Sequence, residues 1–387
     1  METVRFGIVG LGAIGWSHAE RIASADDASM RLGAVCSEDP ADVARAADEF
    51  GVPYFSRVEK MYDSGTIDAV IVATPHYWHP VHAVMAAHRG LHVLCEKPLA
   101  ATVGPARAMV DQCDSCEVAL GVMFQHRTRA VMRTMRRMIA DGQLGRLFRV
   151  SLTCSDWFRT QAYYDSRPWR GTWDGEGGGV LINQAPHHLD LLTWMAGLPR
   201  QVFAYAATRL HDMEAEDTAT AVLDYGGGMV GQLYATTAEA PGYEELIVVG
   251  DKGTLIAEGE RLMFGRPARP VSEHVAAAGG AFEGPCCTWE DVELPDDKGA
   301  DHTEVIRRFA GAILRGEPMV ANGHDALAEL ELSNALYLSA YRNRPVDMPV
   351  SPAAMDRLLA ELERKRSDGS GGGLRRKARR ALNRLLK

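Results

Sequence analysis

The six residues Gly10-Leu11-Gly12-Ala13-Ile14-Gly15 constrain this chain more than any other stretch. They end an apolar, β-rich run, Val4 to Gly10, and open a helix-like stretch from Ala13 to Ala25. A G-x-G-x-x-G turn is weak evidence alone and much stronger when it joins a strand to a helix at the head of a βαβ unit. Gly10 permits the tight turn, Gly12 lets backbone approach a pyrophosphate, and Gly15 lets helix and strand pack closely. Ala13 and Ile14 begin the helix, where unpaired N–H groups and the positive end of the dipole favour phosphate. The chain is therefore expected to start with a dinucleotide-binding layer of strands and helices.

The next hundred residues keep that rhythm. Arg31 to Cys36 is apolar, Pro40 to Phe50 is helix-like, and Ala69 to Ala73 (AVIVA) reads as a strand buried on both faces. Trp78 to Arg89 reads as a helix stopped by Gly90, followed by strands at His92 to Cys95 and Val118 to Val122 with a helix between them. This pattern predicts a doubly wound parallel sheet, a Rossmann domain over residues 1–125. After about residue 145 strands follow one another without helices: Leu147 to Ser155, Val202 to Arg209, Thr218 to Tyr225, Met229 to Thr237, Glu244 to Gly250 and Thr254 to Ala257. Tyr225-Gly226-Gly227-Gly228 is a hairpin signal. The expectation is an α+β second domain over 126–350 with a large, mostly antiparallel open sheet. Residues 260–300 read as a long loop. Helices return at His302 to Arg315 and Asp325 to Tyr341, with room for the last of them to pack back on the first domain.

Composition narrows the function classes. With 46% hydrophobic and 24% charged residues the chain is globular, not disordered. Lys and Arg number 42 against 51 Asp and Glu, so an acidic body argues against a nucleic-acid-binding role. No window is apolar enough to cross a membrane, and the N-terminus has none of the marks of a signal peptide. Seven scattered cysteines fit reduced thiols and a cytoplasmic setting. Cys113-Asp114-Ser115-Cys116 is a lone CxxC without a second ligand pair, a poor zinc site.

At the end of the second strand, Ser37 and Glu38 stand where a ribose hydroxyl would be held. Two acids, Glu38 and Asp39, without a neighbouring Arg should repel a 2′-phosphate, which favours NAD over NADP. Further on the chain reads Ala73-Thr74-Pro75-His76-Tyr77-Trp78-His79, then Cys95-Glu96-Lys97-Pro98-Leu99, then Gly177-Gly178-Gly179 followed by Asn183, His187 and Asp190. On these three motifs, in this order, the sequence resembles the Gfo/Idh/MocA family of dinucleotide-dependent oxidoreductases from about residue 3 to about 350. The resemblance implies a Rossmann domain, a second domain whose open sheet often mediates oligomers, and substrates that are sugars, nucleotide sugars or cyclitols. It implies cofactor contacts at Ala73, Thr74, Pro75, His79, Glu96, Lys97 and Gln125, an active-site lysine at Lys97 and an active-site histidine at His187. Asn183 departs from the Asp of many members, and a carboxamide cannot act as a general base.

The chemistry can be stated from the residues as well. Oxidising a secondary alcohol requires loss of a hydride from carbon and a proton from oxygen. His187 and Lys97 suit a base and a cation beside that oxygen, and sequence leaves open which accepts the proton. Tyr163 and Arg170, just ahead of the glycine run, are candidate substrate contacts through ring stacking and forked hydrogen bonds. The leading expectation is an NAD(P)-dependent dehydrogenase of a ring hydroxyl, homo-oligomeric (dimer or tetramer) through the second sheet. The alternatives are a glycosidase that recycles a tightly held NAD, and a non-catalytic NAD-sensing regulator. His187 and His188 are adjacent on a helix and point about 100° apart, so they do not share an ion, and no metal is expected.

Residues 351–387 form a separate end. A helix precedes the flexible composition Ser367 to Gly373, and then LRRKARRALNRLLK carries seven Lys or Arg and no acid. Leu374, Ala378, Ala381 and Leu385 share one helical face. A short isolated helix is marginal in water, which favours a solvated, mostly disordered tail. The alternative is a basic amphipathic helix on an anionic surface or acidic partner. On either reading, removing residues 367–387 is expected to leave turnover unchanged.

Overall fold

Six parallel strands carry the glycine turn: β1 (Val4–Val9), β2 (Met30–Cys36), β3 (Tyr54–Phe55), β4 (Ala69–Val72), β5 (His92–Cys95) and β6 (Leu120–Val122), in the order β3-β2-β1-β4-β5-β6. The computed structural model describes residues 2–296, 301–366 and 373–387. Strand direction reverses its winding between β1 and β4, which opens a crevice at their carboxyl ends. Because all six run parallel, the residues after β1, β2, β4, β5 and β6 gather on one edge: Gly10, Ser37, Ala73, Glu96 and Gln125. β4 is buried along its whole length, as expected for a strand covered on both faces.

The second sheet has nine strands, β7 (Leu147–Cys154), β8 (Gln201–Ala207), β9 (Thr218–Gly226), β10 (Met229–Thr236), β11 (Glu244–Gly250), β12 (Gly253–Glu258), β13 (Arg261–Pro267), β14 (Cys287–Asp291) and β15 (Val346–Asp347). Its order is β14-β13-β12-β11-β7-β10-β9-β8-β15, and only β7 with β10 pairs in parallel. β9 and β10 meet at Gly226↔Met229 across Gly227 and Gly228, both at positive φ, which is the hairpin expected from the glycine cluster.

Two expectations are corrected. Residues 260–300 are not one loop, because β13, the helix Val271–Ala277 and β14 lie within them, with 297–300 outside the described residues. Leu262 and Phe264 alternate inward along β13, a period-2 signal hidden by the Gly- and Pro-rich surroundings. The exposed edge strand β14 is charged, with Asp291 and Glu290 paired to Arg261 and Arg266.

The tail is the second correction. Residues 367–372 lie outside the described residues, but Leu374–Leu385 is a helix packed against the helix His79–Ala87 of the first domain. Ala378, on the face expected from the sequence, is buried there together with Leu382, while Leu374, Ala381 and Leu385 are half-buried. The Leu374 N–H donates to Asp174 Oδ2 at 3.1 Å, and Arg375 Nη2 donates to Glu363 Oε2 at 2.8 Å. The helix is therefore stabilised within its own chain. Deleting residues 374–387 should lower the unfolding midpoint by several degrees, since re-exposing Leu382, Ala378 and their partners costs about 2–3 kcal/mol. A truncated chain that melts like the full one would show that the helix is not held.

Other helices bridge the layers. His302–Arg315 packs on β1, β2 and β5 and completes the first domain from the far end of the chain. Gly323–Arg342 packs on β8 and on the helix Pro186–Ala196, and reaches the helix Val103–Ser115 of the first domain. None of the helices among the described residues is long and apolar enough to cross a membrane.

Candidate active site

The site begins at the glycine turn. Gly10 has φ +90°, and a Cβ there would lie 2.7 Å from the Ala73 carbonyl oxygen. A Cβ on Gly15 would fall 1.8 Å from the Gly10 carbonyl oxygen, so helix and turn touch through bare backbone. Gly12 has nothing within 4 Å of its Cβ position, and it caps the helix Ala13–Ala23 without a side-chain hydrogen bond. The first N–H groups of that helix thus face an open cradle of the shape a pyrophosphate needs. Thr74 Oγ1, across the crevice at the end of β4, is buried without a partner among the described residues. Ser37 and the exposed Glu38 follow β2 next in line. These features fit a dinucleotide.

Two expected cofactor contacts have other partners. His79 places Nε2 2.7 Å from the Thr74 carbonyl and Nδ1 2.8 Å from the Pro98 carbonyl, so both ring nitrogens brace loops. Glu96 turns inward, its Oε1 2.7 Å from His18 Nε2 on the glycine-turn helix. Burial alone would raise the Glu96 carboxyl, but His18 and Lys97 hold it down at about 2. Sequence gave no sign of the His18 partnership, since 78 residues separate the pair.

Lys97, beside Glu96, is half-buried and donates from Nζ to the Asn183 carbonyl oxygen at 2.8 Å. Burial lowers its ammonium, while Glu96, Glu176 and Glu329 pull the other way. Asn183 Nδ2 donates to Tyr163 Oη at 3.1 Å and to Glu176 Oε1. Tyr163 Oη also accepts from Arg170 Nη1, and the Arg170 guanidinium stacks 4.1 Å from the Tyr163 ring centre. Lys97, Tyr163, Arg170 and Asn183 therefore form one connected cluster. Glu176 was missed in the sequence, although it directly precedes the glycine run. Burial pushes its carboxyl up to about 7, against the Gly171 N–H, Arg170, Lys97 and Asn183.

The glycine run positions Asn183 and His187. A Cβ on Gly179 would lie 1.8 Å from the Glu216 carbonyl oxygen, a spacing that only glycine meets. The buried Glu216 carboxylate accepts from the N–H groups of Leu181 and Gly179 at 3.0 and 3.2 Å, and from Tyr337 Oη at 2.7 Å. It anchors the start of the short helix Val180–Asn183. Its position just before β9 carries no local motif, so sequence could not single it out.

His187 lies in the first turn of the helix Pro186–Ala196. Its Nε2 is 3.2 Å from Gln125 Nε2, and its Nδ1 has no partner among the described residues. The His126 ring stacks on it at 4.6 Å, and Trp157 lies 5.9 Å away. Burial first, then His126 and Lys97, holds its imidazole well below the usual range. Arg127, two residues after Gln125, forks onto Asp190 at 2.7 and 2.8 Å and ties this helix to the end of β6. A neutral imidazole, a desolvated lysine and a braced carboxamide beside a dinucleotide cradle can together hold an alcohol and remove its proton.

Comparison with known proteins agrees with this fold. Residues 4–124 match the model of the oxidoreductase family with an NAD-binding Rossmann fold, and residues 132–256 match that of the GFO/IDH/MocA C-terminal domain. Inositol 2-dehydrogenase of Rhizobium meliloti is 28% identical over 356 residues, covering 89% of this chain and 99% of the relative. D-xylose 1-dehydrogenase (NADP(+)) 2 of Haloferax volcanii is 27% identical, with 89% and 99% covered. The structure of the WlbA dehydrogenase from Bordetella pertussis, in complex with NADH and UDP-GlcNAcA, is similar at 30% identity and a TM-score of 0.76 over 90% of this chain and 100% of that one. With both halves matched and the glycine turn, the Glu96-Lys97-Pro98 step and the His187 helix following in order, the chain belongs to the Gfo/Idh/MocA family of oxidoreductases.

Proposed function

We propose that this protein is an NAD-dependent dehydrogenase that oxidises a ring hydroxyl of a sugar, nucleotide sugar, glycoside or cyclitol. The observation that carries this reading is the connected cluster of Lys97, Asn183, Tyr163 and Arg170, with Lys97 just beyond β5 on the strand edge that carries the open glycine cradle. Gly10, Gly12, Ala13, Ile14 and Gly15 hold the pyrophosphate, Ser37 and Glu38 the ribose, and Ala73, Thr74, Pro75 and Gln125 line the crevice. When bound, the nicotinamide accepts the hydride. Lys97 Nζ takes the hydroxyl proton, since burial weakens its hold on its own. Gln125 Nε2 donates to His187 Nε2, so the ring carries its proton on Nδ1 and donates it to the same substrate oxygen. Tyr163 and Glu176 use both Asn183 amide hydrogens, leaving Oδ1 to accept from a neighbouring hydroxyl. Arg170, its guanidinium over the Tyr163 ring, holds a second polar group of the substrate.

The test uses the purified full chain. It is denatured to identify any released nucleotide, and free NAD is then supplied with a panel of sugars, nucleotide sugars and cyclitols. NADH that accumulates with substrate is the expected result. A stoichiometric, non-exchanging nicotinamide with no net reduction would favour the glycosidase that recycles its NAD.

Glu38→Arg should raise kcat/KM for NADP by about 10-fold or more, because a guanidinium pairs a 2′-phosphate that the carboxylate repels. Glu38 is exposed, so an unchanged NADP preference would put the ribose elsewhere. Glu176 predicts a pH effect. Gly171 N–H and Asn183 Nδ2 both donate to its carboxylate, so the ionised form braces Asn183. With its pKa near 7, kcat/KM should rise with pH through about 7, and Glu176→Gln should remove that step. A profile identical in both proteins would exclude Glu176 from the site's ionisations.

Self-association through the second sheet completes the reading. Phe203 and Val222, paired across β8 and β9, are 46% and 57% exposed, and Tyr205 is 68% exposed. Such an apolar outer face suits a second copy of the chain, and sedimentation of the full chain as a monomer would overturn this.

A further inference from the structure

We propose that Cys154, Asp156 and His188 form a binding site for a zinc-class divalent ion, one residue along the helix from His187. A thiolate, an imidazole and a carboxylate are the donor set that suits zinc. Cys154 Sγ lies 3.1 Å from His188 Nδ1, and the donor atoms of all three residues lie within 4.8 Å of one another. Tetrahedral zinc ligands stand on the order of 3.5 Å apart, so a small inward swing of Asp156 completes the set. Asp156 is free to make it, because it is exposed while Cys154 and His188 are buried. Its exposure also gives the ion a way in. Three protein ligands leave a fourth position for water.

The surroundings have the form of a supported ligand. Cys154 ends β7, and residues two apart along an extended chain face the same way, which brings Asp156 to the same side. The second nitrogen of His188, Nε2, lies 3.3 Å from Glu244 Oε1, and Glu244 is held by Arg129 Nη1 at 2.7 Å. A carboxylate on the far nitrogen is the usual device for orienting a metal-binding histidine. His126 and Trp157 hold the His188 ring edge-on at 5.3 and 6.0 Å. His126, His188 and Glu244 also come within 4.8 Å of one another, but the Arg129 guanidinium already sits on that carboxylate and would repel a cation. The divergence of adjacent histidines therefore sends His187 to Gln125 and His188 to Cys154.

The full-length protein, dialysed against chelator, is titrated with zinc in competition with a chromophoric chelator, and separately with cobalt while its spectrum is recorded. One equivalent of zinc with Kd below about 1 μM is expected, and a thiolate-to-cobalt charge-transfer band in the near ultraviolet. Cys154→Ser should abolish that band and weaken zinc binding by more than about 100-fold; Asp156→Asn, at an exposed position, should weaken it by about 10–100-fold with the fold intact. Absence of stoichiometric uptake overturns the proposal, and so does uptake that both variants leave unchanged. Uptake lost in His126→Gln and kept in Cys154→Ser would move the ion to the other side of His188 and overturn it as well.

Discussion

Lys97→Ala is expected to lower kcat by about 10²–10⁴-fold, the range for losing a positioned proton acceptor. Cofactor affinity should change little, because the proposed pyrophosphate site is the backbone at Gly12 to Gly15 and not this side chain. Stability should also hold. Lys97 is half-buried, its Nζ donates to a carbonyl oxygen, and its removal strands no paired carboxylate: Glu96 keeps His18 at 2.7 Å, Glu176 keeps Gly171 N–H and Asn183, and burial already pushes the Glu329 carboxyl well up. The measurements are kcat on the best substrate of the panel and an NADH fluorescence titration of the variant. Lys97→Arg separates charge from proton transfer, since a guanidinium keeps the cation but does not deprotonate at working pH. If Lys97→Ala turns over at the wild-type rate, the proton leaves by another route and the assignment of the site fails. If the cofactor no longer binds, Lys97 belongs to the cradle instead.

Why part of this site was legible in the sequence and part was not follows from the range of the interactions. The glycine turn is local: strand, turn and helix lie within about twenty residues, and Gly10 and Gly15 answer steric demands within the turn or just across it. The parallel sheet was legible through AVIVA, because only a strand covered on both faces is apolar throughout. β13 was not, since its alternation is three residues long and sits among turn-forming residues. The docked tail shows a different limit. Its apolar face was evident from Leu374, Ala378, Ala381 and Leu385, but the partner of an amphipathic helix is a tertiary fact. The His79–Ala87 helix that receives it lies nearly three hundred residues away in the chain. Glu176 and Glu216 mark the same limit inside the site. Each is a lone acid with no motif, and its meaning comes from burial and from the N–H groups that fold toward it.

Arg127→Met carries the second large effect, on stability. Arg127 and Asp190 are 5% and 0% exposed, and their fork is closed on both oxygens at 2.7 and 2.8 Å. The guanidinium also reaches Asp325 Oδ2 at 3.1 Å and stacks 5.1 Å from the Trp194 ring centre. Buried pairs of this kind stabilise little against an apolar pair of equal volume, because desolvation offsets the attraction. Removing one partner is another matter, since it leaves the other charge in the core. Arg127→Met should therefore cost about 3–5 kcal/mol. The urea midpoint should fall at unchanged slope, which marks a change in stability rather than in the unfolded chain. Adding Asp190→Leu should restore a large part of the loss, because the double variant strands no charge. Catalysis should not recover with stability. Asp190 sits one turn beyond His187, and the fork is what fixes that helix against the end of β6, where Gln125 meets the His187 ring. A single variant within about 1 kcal/mol of wild type would show that water or a bound proton rescues Asp190. A double variant no better than the single would show that the fork is required for packing and not only for charge balance.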